Sequence, residues 1–260
     1  MTQPFSFDLT GRVVLVTGAS SGLGARFAGI LAASGASVVL AARRVEPMQA
    51  LAQQIIDAGG RATAIAMDVT DEASIIAAYD AAEAAFGPVD TVIANAGANA
   101  EGPATELAAE AFASLMAVNV TGVFLTVREG AKRMMAAGSK DRGDGRIVII
   151  SSITAESISA GLGPYSASKA AVRQLGRVLA RDWANRGINV NVVCPGYIET
   201  DINADWFQTE AGAKQIAKWP RRRLMDADAL DAAILNLCSD ASAFITGSVV
   251  TIDDGQTLAS

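Results

Sequence analysis

The chain has 260 residues, of which 51% are hydrophobic and 18% charged, with 24 glycines; this composition excludes a disordered, collagen-like or coiled-coil protein. Its 27 acidic and 21 basic residues give a net charge of −6, with no basic footprint for nucleic acid. The absence of histidine removes Ser-His-Asp triads, Cys-His nucleophiles and His-ligated zinc or iron together, and no metal is expected.

The first residues, Met1 to Asp8, lack a basic start followed by an apolar run, and no uncharged apolar stretch is long enough for a bilayer. A soluble, cytoplasmic protein without a membrane partner is expected. Short Val- and Ile-rich runs then alternate with longer Ala-rich segments of helical period, the pattern of a parallel sheet covered by helices. Strands are expected at 13–17, 37–41, 63–67, 91–94, 147–151, 189–193 and 249–253. A helix follows the first strand from near Ala25. Asp71-Glu72 opens another with acid at its positive end, and Gly87-Pro88 closes it. A long helix runs from about 108 to 137, and Gly138 to Gly145 reads as the clearest flexible loop. Seven strands with right-handed crossovers make an α/β protein: one doubly wound Rossmann domain over 1–260, a seven-stranded parallel sheet with helices on both faces. Cys194 and Cys238 have neither framework nor ligand spacing and read as buried thiols. The low charged fraction points to further burial between subunits.

The first strand enters Thr17-Gly18-Ala19-Ser20-Ser21-Gly22-Leu23-Gly24 and then a helix. In that context Gly18 permits the tight turn, Gly22 lets backbone approach a pyrophosphate, and Gly24 lets the helix pack close to the sheet. The spacing differs from an ordinary dinucleotide fingerprint and lacks the Gly-Lys-Ser/Thr ending of a nucleotide triphosphatase loop. The second strand ends in Ala42-Arg43-Arg44, where a carboxylate would receive the ribose of NAD. An arginine instead forks onto a 2′-phosphate, so NADP(H) is preferred and NAD(H) remains possible. Ser21 can add a hydroxyl. Asp68, followed by Val69, is placed to meet the adenine edge or to cap the next helix.

Tyr165 and Lys169 stand four apart in a segment of helical pattern, on one face, and Ser152 follows the fifth strand at the ligand end of the sheet. A free tyrosine titrates near 10, too high for acid–base work at neutrality. A Lys169 ammonium would lower it, while Ser152 would donate to the substrate oxygen.

These residues resemble the short-chain dehydrogenase/reductase family over essentially the whole chain. The signatures are Thr17 to Gly24, Asn95-Ala96-Gly97, Asn119, Ser152, Tyr165-Ser166-Ala167-Ser168-Lys169, and Pro195-Gly196 followed by Thr200. The resemblance implies a catalytic tetrad of Asn119, Ser152, Tyr165 and Lys169, with Asn119 retaining a water that links the lysine to solvent. It implies that Asn95-Ala96-Gly97 flanks the cofactor ribose and that Ile198 and Thr200 contact the nicotinamide amide and phosphates. It also implies a homotetramer built from paired long helices and the C-terminus, and a substrate lid over about 200–226. Gln256 stands where the family frequently has glycine.

Trp206, Phe207 and Trp219 in that segment either line an apolar pocket or anchor the lid. Arg221-Arg222-Arg223 would suit an acidic, carrier-bound or coenzyme A-bound substrate, or serve structure. The expected activity is an NADP-dependent reduction of a ketone or 3-oxoacyl group, reversible as a secondary alcohol dehydrogenase, on a small-molecule substrate. The alternatives are an NAD-dependent secondary alcohol or hydroxysteroid dehydrogenase, a non-catalytic NADP-binding redox sensor, and an epimerase or dehydratase on the same scaffold.

Overall fold

The structure, a computed structural model, describes residues 7–100, 102–198 and 207–258. Seven strands form one parallel sheet in the order β3-β2-β1-β4-β5-β6-β7. They are β1 (Val13–Thr17), β2 (Ser37–Ala42), β3 (Arg61–Ala66), β4 (Thr91–Ala94), β5 (Gly145–Ile150), β6 (Ile188–Pro195) and β7 (Val249–Ile252). Central strands are covered on both faces, which is why β1 and β5 are buried along their whole length and read as unbroken Val/Ile runs.

Helices α1 (Gly22–Ala33) and α2 (Val45–Asp57) lie on one face with α9 (Asp231–Cys238), where Phe27, Leu31, Met48, Ile234 and Leu237 form the core. The other face carries α3 (Glu72–Phe86), α5 (Val123–Ala136) and α7 (Gly163–Trp183), which contribute Ile75, Tyr79, Val127, Met134 and Val172. Val14 is level with Val38 of β2 and with Thr91 of β4. The chain therefore leaves β1 in one direction and resumes on its other side, which opens a crevice beyond the carboxyl ends of β1 and β4. Thr17 Oγ1 accepts from the backbone N–H of Asn95 and of Ala96, both at 3.0 Å, and Asn95 Nδ2 donates to Thr17 O at 3.0 Å. These bonds tie the two walls of the crevice together.

The structure corrects several expectations. Helix α1 starts at Gly22, inside the glycine turn, and β3 and β5 start at Arg61 and Gly145, earlier than expected. The supposed loop after the long helix holds the short helix α6 (Ser139–Arg142). Ser139 is fully buried there and its hydroxyl donates to Arg186 O at 2.7 Å, a tertiary contact that local composition does not announce. The long helix is α4 (Ala109–Met116) and α5 joined by a π-helical stretch, Ala117–Gly122. Contrary to expectation, Ala109–Ala136 is by length and composition apolar enough to cross a membrane. It packs as a core helix, with Val123, Val127, Ala131 and Met134 on the sheet and Arg128 and Arg133 paired to Glu72 and Glu83 of α3.

Candidate active site

Beyond the crevice between β1 and β4 lies a cleft of ≈ 1570 Å³. One end is built by the first βα turn. Gly18 and Gly22 have φ of +68° and +54°, which side-chain-bearing residues rarely adopt. A Cβ on Gly24 would fall 2.4 Å from Gly18 O, whereas one on Gly22 would meet nothing. The helix is thus drawn tight beneath the turn while the space above it stays open to the cleft, facing the N–H groups of α1, whose first turn holds no acid.

Ser20, Ser21 and Leu23 line this end with Arg43 and Arg44. Arg44 Nη2 donates to Ser20 Oγ at 3.1 Å and to Ser21 Oγ at 3.0 Å, so hydroxyls and guanidinium converge. Asp68 lines the cleft and also caps its own turn, accepting from Thr70 N at 2.9 Å and Thr70 Oγ1 at 2.7 Å. Those bonds, with Arg43 nearby, hold its carboxyl below the usual range. The cap of α3 is Asp71, which accepts from Ala73 N. Val69, Asn95, Ala96, Gly97, Pro195, Gly196 and Ile198 complete the walls, while Thr200 lies outside the described residues. A glycine cradle under a helix N-terminus, donors at the end of β2 and a long walled groove fit a nicotinamide dinucleotide.

At the other end Ser152 follows β5, and Tyr165 and Lys169 project from consecutive turns of α7. Lys169 Nζ donates to Ile150 O at 3.0 Å, and Ser151 Oγ donates to Lys169 O at 2.8 Å, which fixes α7 against the end of β5. Asn119 sits in the π-helical stretch. Its Oδ1 accepts from Ala98 N at 2.7 Å, and its Nδ2 donates to Ala98 O and to Ser168 Oγ, both at 2.9 Å. Ser168 Oγ in turn donates to Tyr165 O at 2.7 Å. Both amide hydrogens of Asn119 are therefore used in joining the β4 loop to α7.

Burial raises the Tyr165 phenol to about 12, with its hydrogen bond to Ser152 acting the other way. Burial also lowers Lys169 to about 8. The expectation that a lysine ammonium depresses the phenol is not met. Lys169 Nζ lies 5.7 Å from the Tyr165 ring centroid, and the desolvation that raises the phenol also weakens the ammonium. Cys194 and Cys238 are free and buried.

Sequence reasoning passed over Thr154, Ser159 and Tyr197. Thr154 donates to Ser152 Oγ through its N–H at 3.2 Å and its hydroxyl at 3.0 Å. Tyr197 reaches Ser159 at 3.3 Å through its hydroxyl and lines the cleft. Its place directly after Pro195-Gly196 was the available signal. Trp219, 3% exposed, stacks on Tyr197 with ring centroids 5.3 Å apart, and Phe207 meets Tyr197 edge-on at 5.7 Å. Trp219 is an anchor, while Phe207 is both an anchor and part of the cleft wall; Trp206 lies outside the described residues. Arg221 and Arg223 pair with Asp254 at 3.1 and 2.7 Å. Gln256 accepts from Tyr197 N at 2.6 Å and donates to Tyr197 O at 3.2 Å.

Residues 12–211 match the model of the short chain dehydrogenase family. The chain is 40% identical over 247 residues to cis-4-hydroxycyclohexanecarboxylate dehydrogenase of Sinomonas cyclohexanicum, covering 95% of this chain and 96% of that protein. It is 35% identical to the 3-oxoacyl-acyl-carrier-protein reductase of Escherichia coli strain K12, over 96% of this chain and 98% of that one. A solved gluconate 5-dehydrogenase from Burkholderia cenocepacia J2315, in complex with NADP and tartrate, superposes with a TM-score of 0.91 at 35% identity, covering 98% of each chain. The glycine cradle, the Ser-Tyr-Lys face and these likenesses agree that the chain belongs to the short-chain dehydrogenase family of nicotinamide-dependent oxidoreductases, enzymes acting on CH–OH and C=O groups.

Proposed function

We propose that this chain is an NADP-dependent oxidoreductase that reduces a ketone or 3-oxoacyl group, or oxidises the corresponding secondary alcohol, with Tyr165 as the acid in reduction. The observation that carries this reading is one cleft with Arg43, Arg44, Ser20 and Ser21 at one end and Ser152, Tyr165 and Lys169 at the other. The nicotinamide, when bound, supplies or accepts the hydride. Ser152 Oγ accepts two hydrogen bonds from Thr154 and is itself bonded to the Tyr165 phenol; a carbonyl oxygen arriving between the two hydroxyls would take over the hydrogen that Ser152 now gives the phenol. With its phenol raised to about 12, Tyr165 carries its proton at neutral pH, the form reduction requires. Lys169 lies behind it, next to Asn119: a Cβ on Gly97 would be 3.5 Å from both Asn119 Oδ1 and Lys169 Nζ. That pocket suits a water through which the proton is replaced.

Gly18, Gly22 and Gly24 would receive the pyrophosphate, Asn95-Ala96-Gly97 the ribose, and Ile198 the nicotinamide amide. Segment 200–226 serves as the lid of the one domain, and the chain works as a homotetramer. NADP in the gluconate 5-dehydrogenase complex supports the cofactor choice, and the carrier-protein reductase supports the reaction type.

Calorimetric titration with NADPH and with NADH tests the cofactor reading. NADPH is expected to bind at least tenfold tighter, with the preference lost in Arg43→Ala and Arg44→Ala. Equal or tighter binding of NADH overturns it.

A further inference from the structure

We propose that the substrate carries a carboxylate, received by Lys218, so that the enzyme acts on hydroxy acids with a hydrocarbon body and on the matching oxo acids. The inference rests on the reading of Ser152, Tyr165 and Lys169 as the reacting end. Helix α8 (Glu210–Lys218) stands over that end, and Phe207, Ala211, Gln215 and Lys218 all reach the cleft. Ala211, Gln215 and Lys218, spaced by four and three residues, make one stripe along one side of α8, and Phe207 lies just before its N-cap Thr209.

The cleft's other charges are committed elsewhere. Arg43, Arg44 and Asp68 form the cofactor end, and Lys169 is buried beneath Tyr165 with its ammonium on Ile150 O. Arg221 and Arg223, the more obvious cations of this segment, pair with Asp254. Among the described residues Lys218 is exposed, makes no ion pair, and is the one charged side chain on the substrate side of the cleft. Gln215 on the preceding turn offers an amide donor to the same anion. Apolar side chains line the same cleft, among them Phe207, Leu162 and Ile158, the last wholly exposed. One cleft lined by an unpaired lysine, by apolar side chains and by Ser152 and Tyr165 matches a molecule that carries a carboxylate, a hydrocarbon body and a secondary alcohol.

The test compares cis-4-hydroxycyclohexanecarboxylate, its methyl ester and 4-methylcyclohexanol as substrates with NADP, in the wild-type enzyme and in Lys218→Met and Lys218→Glu. Binding of cyclohexanecarboxylate, which has no hydroxyl to oxidise, is measured alongside by calorimetry on the NADPH-loaded protein. We expect kcat/KM for the acid to exceed that for the ester at least tenfold in the wild type, to approach it in Lys218→Met, and to fall below it in Lys218→Glu. Cyclohexanecarboxylate binding should be lost in both variants. Equal use of acid and ester by the wild type, or a preference unmoved by Lys218→Met, overturns the carboxylate site and leaves the oxidoreductase reading standing. Lys218-dependent binding of cyclohexanecarboxylate without turnover of any alcohol upholds the site and counts against the reacting end. Absence of both binding and turnover overturns the proposal.

Discussion

Tyr165 and Lys169 are displaced in opposite directions by one cause: removal from water favours the neutral form of each. The phenol keeps its proton to about 12 and the lysine sheds its own near 8. Tyr165→Phe removes the proton donor and little volume, so kcat should fall by roughly 10²–10⁴-fold, while calorimetry shows NADPH affinity within a few-fold of the wild type. An unchanged kcat would exclude Tyr165 as the acid. Lys169 makes a second prediction, about stability. Its folded pKa of about 8 lies below its ordinary value of 10.5, so below pH 8 the fold bears the full cost of a buried ammonium. From 8 upward the unfolded chain binds more protons than the folded one, and stability rises with pH until both states are neutral near 10.5. Lys169→Met escapes that cost but leaves Ile150 O without its donor. Relative to the wild type, the variant should therefore look best at pH 7 and lose ground by pH 10, a change on the order of 3 kcal/mol between those conditions. Thermal unfolding at both pH values reads the difference, and a gap independent of pH would show that Lys169 does not titrate in this range.

At the scale of the element, the stretch Ala117–Gly122 shows what was legible and what was not. Helical period announced a long helix, and Asn119 stood out within it as a poor helix former. The π-helical turn itself depends on partners far along the chain: Asn119 bonds to Ala98 and Ser168, and Gly122 fits so closely that a Cβ would lie 2.9 Å from Val69 O. The meeting of the glycine turn, Ser152, Tyr165 and Lys169 at one cleft could be read directly, because strand ends and helical spacing place them there. Tyr197, Thr154 and Gln256 act through contacts made only after the strands assemble, and Ser139 joins a segment that composition alone marks as a loop. The same logic fixes an expected outcome for Asn119→Ala. Ala98 N, Ala98 O and Ser168 each lose a partner, so unfolding in denaturant should show a loss of ~2–3 kcal/mol, accompanied by a drop in kcat as α7 loosens behind Tyr165. Full stability would mean that these bonds do not hold the helix.

On the scale of the whole molecule, apolar side chains are exposed at several places among the described residues, and two of these bear on assembly. Phe112 on α4 and Val178 on α7 are 42% and 46% exposed, and these helices pack side by side. Phe244 and Leu258 flank β7 and are 101% and 79% exposed. Strand β7 is the last in the sheet order and, among the described residues, pairs with β6 alone, and an open edge of this kind invites a partner. Full burial of one such side chain contributes about 2–3 kcal/mol, and a two-fold interface buries it twice. Two separate faces, each closed by a two-fold axis, would give the four chains proposed above. Light scattering on the eluting protein should accordingly report a mass four times that of the 26.7 kDa chain. Phe244→Asp places a charge in only one of the two faces and should halve that mass rather than reduce it to the monomer. The turn after β7 also holds both flanks of the proposed lid, through Gln256 to Tyr197 and Asp254 to Arg221 and Arg223. Loss of the β7 interface should therefore reach the cleft, raising KM for substrate several-fold with kcat nearly preserved. A Phe244→Asp protein that remains four chains, or that becomes a dimer with unaltered KM, would separate assembly at this edge from the lid it adjoins.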